Sequence, residues 1–343
     1  MDKSAEFKIL FLTLLTTFLL GVTTSPSLAD EPKKGVLTLV AENDVLRGTD
    51  QHFTHGSRIS YYSGIIREDW LSRIAELMPY FHSQGDGVYW RTNLALGQNI
   101  YSPEDITIKK LITDERPYAG YLYLGLGLVR AQQGGEQQSP RVDSFELQLG
   151  VVGPLAQGEE VQSWWHANIS DSPQPMGWEH QLKNEPILNL YWDRQWRKDL
   201  TKTEGMGADV IPHVGIALGN ADTHVNSGLT LRLGSGLAND NGPPRIRPSL
   251  PGAGVFRKGE KISAYLFAGG EFRLVGRNIF LDGNSFSHSH KVSKKSVVAD
   301  AQYGLVVAWG KIKLSLTNII RSREFSGQEN PDRFTAFSVS WLL

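Results

Sequence analysis

The chain contains no cysteine, which excludes a disulfide framework, a thiol nucleophile and a thiolate metal site. Charge of one sign is missing as well: 35 Lys and Arg stand against 36 Asp and Glu, a net of −1. Nothing in that balance recommends nucleic acid as a partner. Past the first 30 residues there is no run of eighteen consecutive apolar residues, so that part of the chain has no helix able to cross a bilayer. Gly-x-Ser-x-Gly, His-Glu-x-x-His and the phosphate loop are also absent. A serine esterase of the common fold is therefore disfavoured.

What is present begins with a leader. Lys3 and Lys8 precede an apolar run from Ile9 to Val22, and Ser27-Leu28-Ala29 forms a small-x-small exit site. Residues 1–29 read as a cleaved secretory signal, and 30–343 as one domain. Pro26 and its polar neighbours follow the apolar run at once, so a retained anchor is the lesser reading. Export without a helical span leaves a soluble exported protein or a membrane β-barrel. The chain has 35 Gly, 9 Trp, 11 Tyr and 14 Phe with a negative mean hydropathy. Aromatic girdles, glycine at strand bends and alternation without overall hydrophobicity suit the barrel.

The dominant pattern is alternation at period two in segments of ten to fifteen residues. In the last strand Phe337, Val339, Trp341 and Leu343 share one face, with Ala336, Ser338 and Ser340 between them. Lys311 to Arg321 repeats it, Ile312, Leu314 and Leu316 alternating with Lys313, Ser315 and Thr317. Strands are expected at 36–44, 54–65, 88–100, 117–131, 142–152, 185–197, 208–218, 225–236, 261–275, 294–309, 311–322 and 332–343. About twelve strands, an even number, predict an all-β, transmembrane antiparallel up-and-down barrel with short helices at the rim. The competing architecture is a soluble β-sandwich or soluble barrel with a tryptophan-rich surface. Trp309-Gly310-Lys311 reads as a tight turn and 237–260 as a long loop, which predicts short turns at one rim and long loops at the other. Arg67–Tyr80 and Gly158–Ile169 have helical spacing instead.

Candidate chemistry lies near strand ends. In the second helix Gln162 and His166 are four apart and share a face. An imidazole titrating near neutrality suits general-base work, although beside Trp164 and Trp165 it equally suits packing. Glu42-Asn43-Asp44 offers hard oxygen donors fit for Ca²⁺, or simply a polar strand end. Thr54 either donates a hydrogen bond into a site or serves strand propensity. His52 and His55 read as solvated rim residues, and the charges of Asp114-Glu115-Arg116 as weak rim salt bridges. Lys109 and Lys110 meet a phosphate or oxyanion, or face anionic headgroups. His288 and His290 lie in a Ser-rich loop. With no Ser or Cys nucleophile evident, a His166 base points to activated water, with a cation polarising an ester carbonyl.

Taken in order, five segments resemble the outer-membrane lipid A 3′-O-deacylase family. They are Ala41-Glu42-Asn43-Asp44, Phe53-Thr54-His55-Gly56, Gln98-Asn99-Ile100-Tyr101-Ser102-Pro103, Asp114-Glu115-Arg116-Pro117-Tyr118-Ala119-Gly120, and Gly150-Val151-Val152-Gly153-Pro154 leading to Gln162 and His166. The resemblance implies a twelve-stranded barrel in the bacterial outer membrane, expected as a monomer, with its active site near the outer rim between wall and helix. It implies His166 as the base that activates water, Gln162 and Thr54 as polar partners, and Lys109 near a family lysine. It further implies Ca²⁺ held by Asn43 and Asp44, with Glu42 and Asp171 as further candidates. The implied substrate is lipid A in lipopolysaccharide, among outer-membrane lipids, cleaved at its 3′ acyloxyacyl ester. The family's first strand carries Asn-Asp-Asp where this chain has Glu42-Asn43-Asp44, and its acidic residue after the helix has only Asp171 as a counterpart. Two other readings remain: a non-enzymatic pore or structural barrel, and an esterase for phospholipid or another lipid.

Overall fold

The computed structural model describes residues 35–43, 52–66, 88–132, 139–170, 172–202, 205–246, 256–258 and 262–343. The leader, the Arg67–Tyr80 segment, Asp44 and Asp171 lie outside the described residues. The strands are β1 Val36–Asn43, β2 His52–Tyr62, β3 Val88–Ser102, β4 Ala119–Gln132, β5 Arg141–Val152, β6 Glu185–Trp196, β7 Lys198–Lys202, β8 Gly207–Gly219, β9 Asp222–Gly234, β10 Ser263–Asn278, β11 Val297–Trp309, β12 Ile312–Arg321 and β13 Asp332–Leu342. Short β7 continues β6, and both pair with β8, so the segments form twelve barrel strands. Each strand pairs antiparallel with its sequence neighbour, and β1 pairs with β13 to close the barrel.

Alternation produces an inside-out molecule. Along β9, Val225, Leu229, Leu231 and Leu233 are exposed while Asn226, Thr230 and Arg232 are buried. On β12, Leu314 and Leu316 face out while Lys313, Ser315 and Thr317 face in. Exposed leucines around a polar interior fit a lipid surround and rule out the soluble alternative.

Charges in the lumen are paired, as buried charges must be. Asp300 is gripped by two guanidiniums, Arg273 (3.0 and 3.0 Å) and Arg321 (3.0 and 2.9 Å). Arg58 pairs in a fork with Glu146, and Arg232 with Asp209. Tyr101 stacks on Phe280 with ring centres 4.0 Å apart, beside Phe53, Tyr121 and Phe334.

The stretch between β9 and β10 departs from the predicted loop geometry. It lies on the rim that carries both chain ends, as does the Trp309-Gly310-Lys311 turn, so the rims do not divide into short and long connections. The segment folds inward: Gly242 to Ile246 are buried, Arg245 donates to Glu42 Oε1 (2.7 Å), and so does the Ile246 amide (2.9 Å). Its Asp240 takes hydrogen bonds from Arg232 (2.7 Å), Tyr265 (2.9 Å) and Lys313 (3.1 Å). Burial alone would raise the Asp240 carboxyl, but Lys313 and Arg232 hold it below the usual carboxylate range. A depressed folded pKa contributes stability that is present above the unfolded value of about 4 and lost as pH falls through the folded one. Asp240→Asn is therefore expected to flatten the pH dependence of urea unfolding below about pH 4. Identical pH profiles for variant and wild type would contradict this.

Candidate active site

One row of outward-facing residues crosses four strands: Asn43 pairs with His55, His55 with Ile100, and Ile100 with Gly120. Elsewhere that face meets lipid; here a helix covers it. β5 ends at Val152 and is followed by Gly153, whose φ of +107° suits glycine and where a Cβ would sit 2.6 Å from the Asn184 amide nitrogen. After the turn Pro154–Ala156, helix α1 runs Gly158–Asn168, close to the expected Gly158–Ile169, with Glu159 and Glu160 in its first turn. Carboxylates there favour the positive end of the helix. A Cβ on Gly120 would lie 3.0 Å from Gly158 nitrogen, so paired glycines let helix and wall approach.

The face that α1 buries is polar. Gly158, Gln162 and His166, spaced by four, are its buried residues, whereas Trp164 is 44% exposed. Hydrophobic burial would dictate the reverse, so this stripe is held against the wall for another reason. Asn43, Thr54, His55, Ile100, Val161, Gln162, Trp165 and His166 line one cleft.

A β-bulge delivers Thr54 to it. Phe53 pairs with Tyr101 and His55 with Ile100, leaving Thr54 as the extra residue. The bulge sends Phe53 into the lumenal aromatic layer and turns Thr54 outward, where its hydroxyl lies 2.6 Å from that of Ser102. His166 is fixed from behind: its Nδ1 is 2.6 Å from the Pro173 carbonyl oxygen. A carbonyl only accepts, so Nδ1 carries the proton and Nε2 of the neutral ring carries the lone pair. Gln162 is oriented likewise, because Trp178 Nε1–H donates to its Oε1 at 2.9 Å. Its Nε2 is buried without a hydrogen-bond partner among the described residues. A buried amide donor left open is costly unless a ligand uses it.

Thus the structure brings together four expected residues, Asn43, Thr54, Gln162 and His166, and leaves out two. Glu42 shares the lumenal face of β1 with Thr38 and Val40, and its carboxylate is taken by Arg245 and Ile246. It is an anchor for the lumenal segment and not a cation ligand of the cleft. Lys109 is exposed on the 103–118 connection and is not among the cleft's lining residues; Lys110 lines a neighbouring hollow with Ile108, Leu111 and His180. Neither His52 nor His55 is solvated at the rim: His52 is 1% exposed and His55 lies under Trp165, 5.8 Å between ring centres. Arg116, too, is no surface charge, being buried against Tyr101 (4.7 Å) and Glu324 (3.4 Å). Sequence reasoning missed Trp178, which carries no motif of its own, and gave Ser102 no role beyond its place in the Gln98–Pro103 segment.

For a cation, the side-chain oxygens among the described lining residues are those of Asn43, Thr54 and Gln162, the last already accepting from Trp178. They fit Ca²⁺ in kind, as hard neutral donors; Asp44, the next residue in sequence after Asn43, lies outside the described residues.

An inside-out closed barrel with a polar cleft on its lipid-facing wall is an outer-membrane β-barrel protein. The family model described as outer membrane protein LpxR matches residues 10–343, and the chain belongs to that family, in the bacterial outer membrane. Among solved structures it resembles LpxR from Salmonella typhimurium, at 19% identity and a TM-score of 0.69, covering 90% of this chain and 100% of that one. The translocator domain of autotransporter NalP from Neisseria meningitidis aligns at 10% identity and a TM-score of 0.43, over 99% of this chain and 97% of that one. The β domain of the Bordetella autotransporter BrkA aligns at 10% and 0.45, over 91% and 100%. No curated protein sequence matches.

Proposed function

We propose that the protein is an outer-membrane esterase that hydrolyses the 3′ acyloxyacyl ester of lipid A. The observation that carries this reading is the His166 imidazole, held through Nδ1 by the Pro173 carbonyl, in a cleft shared with the open Gln162 amide. The cleft lies on the lipid side of the wall, beneath a helix with exposed Trp164 and followed by exposed Ile169. A substrate ester at membrane depth can reach it without crossing water.

His166 Nε2 takes a proton from a water molecule, and the resulting hydroxide attacks the ester carbonyl. Gln162 Nε2–H and Thr54 hold the substrate or its oxyanion, because a preorganised donor stabilises the charge that develops there. The proton then passes from His166 to the leaving alkoxide. Ca²⁺, held by Asn43 and Asp44, would supply Lewis-acid polarisation of the same carbonyl.

Trp178 acts through Gln162. Trp178→Phe keeps the ring and deletes the Nε1 donor, so kcat is expected to fall up to about tenfold, the worth of one hydrogen bond, with KM little changed. A change confined to KM would contradict a positioning role.

The test of the reading uses purified protein in mixed micelles. Lipid A should lose its 3′ acyloxyacyl group in the presence of Ca²⁺, and EGTA should stop the reaction until Ca²⁺ is restored. Fatty acid released from phosphatidylethanolamine with lipid A untouched would reassign the substrate. Release undiminished in EGTA would remove Ca²⁺ from the account.

A further inference from the structure

At the mouth of the lumen, on the other side of the wall from the cleft, His52 meets three carboxylates. Its Nδ1 lies 2.5 Å from Asp332 Oδ1, and its Nε2 lies 3.3 Å from Glu115 Oε2. The donor atoms of His52, Glu104 and Glu115 all fall within 4.8 Å of one another. We propose that these three side chains bind a divalent transition-metal ion, with Asp332 orienting the imidazole from behind.

Four observations carry the assignment. First, Nε2 is buried and, among the described residues, has Glu115 Oε2 as a neighbour at 3.3 Å without the alignment of a good hydrogen bond. Two ligands about 2.0–2.2 Å from a tetrahedral ion stand roughly 3.3–3.5 Å apart, which is the separation seen. Second, the opposite ring nitrogen faces a carboxylate, the arrangement that fixes the tautomer and orientation of metal-binding histidines. The edge-on Phe325 ring (5.4 Å) and the Gln328 amide (3.4 Å) further confine the imidazole. Third, the nearby guanidinium of Arg116 is directed to Glu324 and stacked over Tyr101, so Glu104, Glu115 and Asp332 keep an excess of negative charge. Fourth, one imidazole with carboxylates suits Zn²⁺ and its neighbours better than Ca²⁺, and exposed Glu104 gives the ion an entry path.

The ion would tie β2 to both ends of the 103–118 connection. That connection braces the active site: the Ile106 carbonyl accepts from the Met176 amide (2.8 Å) and the Tyr118 hydroxyl (3.2 Å), and Ile106 packs in one cluster with Trp178. The metal site is thus a clamp behind Gln162, and it stands whether or not the esterase reading does.

The test is titration of the chelator-stripped, folded full-length protein in detergent with ZnCl₂, read by calorimetry and bound-metal analysis. One equivalent is expected to bind. His52→Gln and Glu115→Gln should abolish binding, Asp332→Asn should weaken it about 10- to 100-fold, and His166→Ala should leave it intact. Glu104→Gln, at an exposed position that does not threaten the fold, should weaken it at least tenfold. Co²⁺ in the same site should give a visible absorption band that His52→Gln removes. No saturable Zn²⁺ binding, or one equivalent retained by both His52→Gln and Glu104→Gln, overturns the proposal. Absence of esterase activity with one zinc bound and Ca²⁺ supplied would contradict the proposed function alone.

Discussion

Replacing His166 with alanine is expected to slow ester hydrolysis by about 10²- to 10⁴-fold, the usual worth of a positioned general base. The loss should fall on kcat and kcat/KM together, because the imidazole acts on a proton in flight and not on the bound ester. The fold should survive, since α1 is held to the wall by the Gly158 to Gly120 approach and by the Trp178 to Gln162 hydrogen bond, neither of which involves residue 166. His166→Gln is the sharper variant: it fills the space and can still donate to the Pro173 carbonyl, but cannot take a proton at neutral pH. Steady-state kinetics on lipid A in micelles measures both. A loss smaller than about tenfold in each variant would mean that another group activates the water.

The largest effect on stability is expected at Asp300. Asp300→Ala should destabilise the barrel by about 3–5 kcal/mol, the cost of leaving buried charges unpaired. Arg273 keeps Glu271 at 3.0 Å and Arg321 keeps Glu324 at 3.9 Å, but each loses both of its hydrogen bonds to Asp300. Both guanidiniums are within 4% of full burial, so water offers little relief. Exchanging all three residues for apolar ones of similar volume should cost far less, because the penalty arises from stranded charge and not from the pair's own strength. Urea unfolding in lipid vesicles gives the comparison. A change below about 1 kcal/mol for Asp300→Ala would indicate that water reaches this part of the lumen.

Much of the fold was legible in the sequence because a lipid surround sharpens the signal. Leu314 and Leu316 must face out and Lys313 and Ser315 in, so period two marks each strand and all twelve lie near their predicted places. The same alternation held the answer for Glu42: it is two residues from Val40 and four from Thr38, on the lumenal face, while Asn43 takes the other. The β-bulge at Thr54 was hidden, since one extra residue inverts the side reached by Phe53 and Thr54 and leaves no mark in composition. The lumenal course of 242–246 was hidden too, because Gly-Pro-Pro reads as an exposed loop whether it meets water or a cavity. For the site, ordered motifs named His166, Gln162, Asn43 and Thr54; Trp178, sixteen residues beyond Gln162, meets it only through the fold.

The central claim is that a histidine on the lipid-facing wall cleaves lipid A, and mass spectrometry of lipid A from cells expressing the wild type or His166→Ala tests it most directly. Wild-type cells should yield lipid A lighter by the 3′ acyloxyacyl group, and cells expressing an equal amount of the variant should yield it with 3′ acylation intact. Identical lipid A from both, whether fully acylated or equally trimmed, would contradict the account.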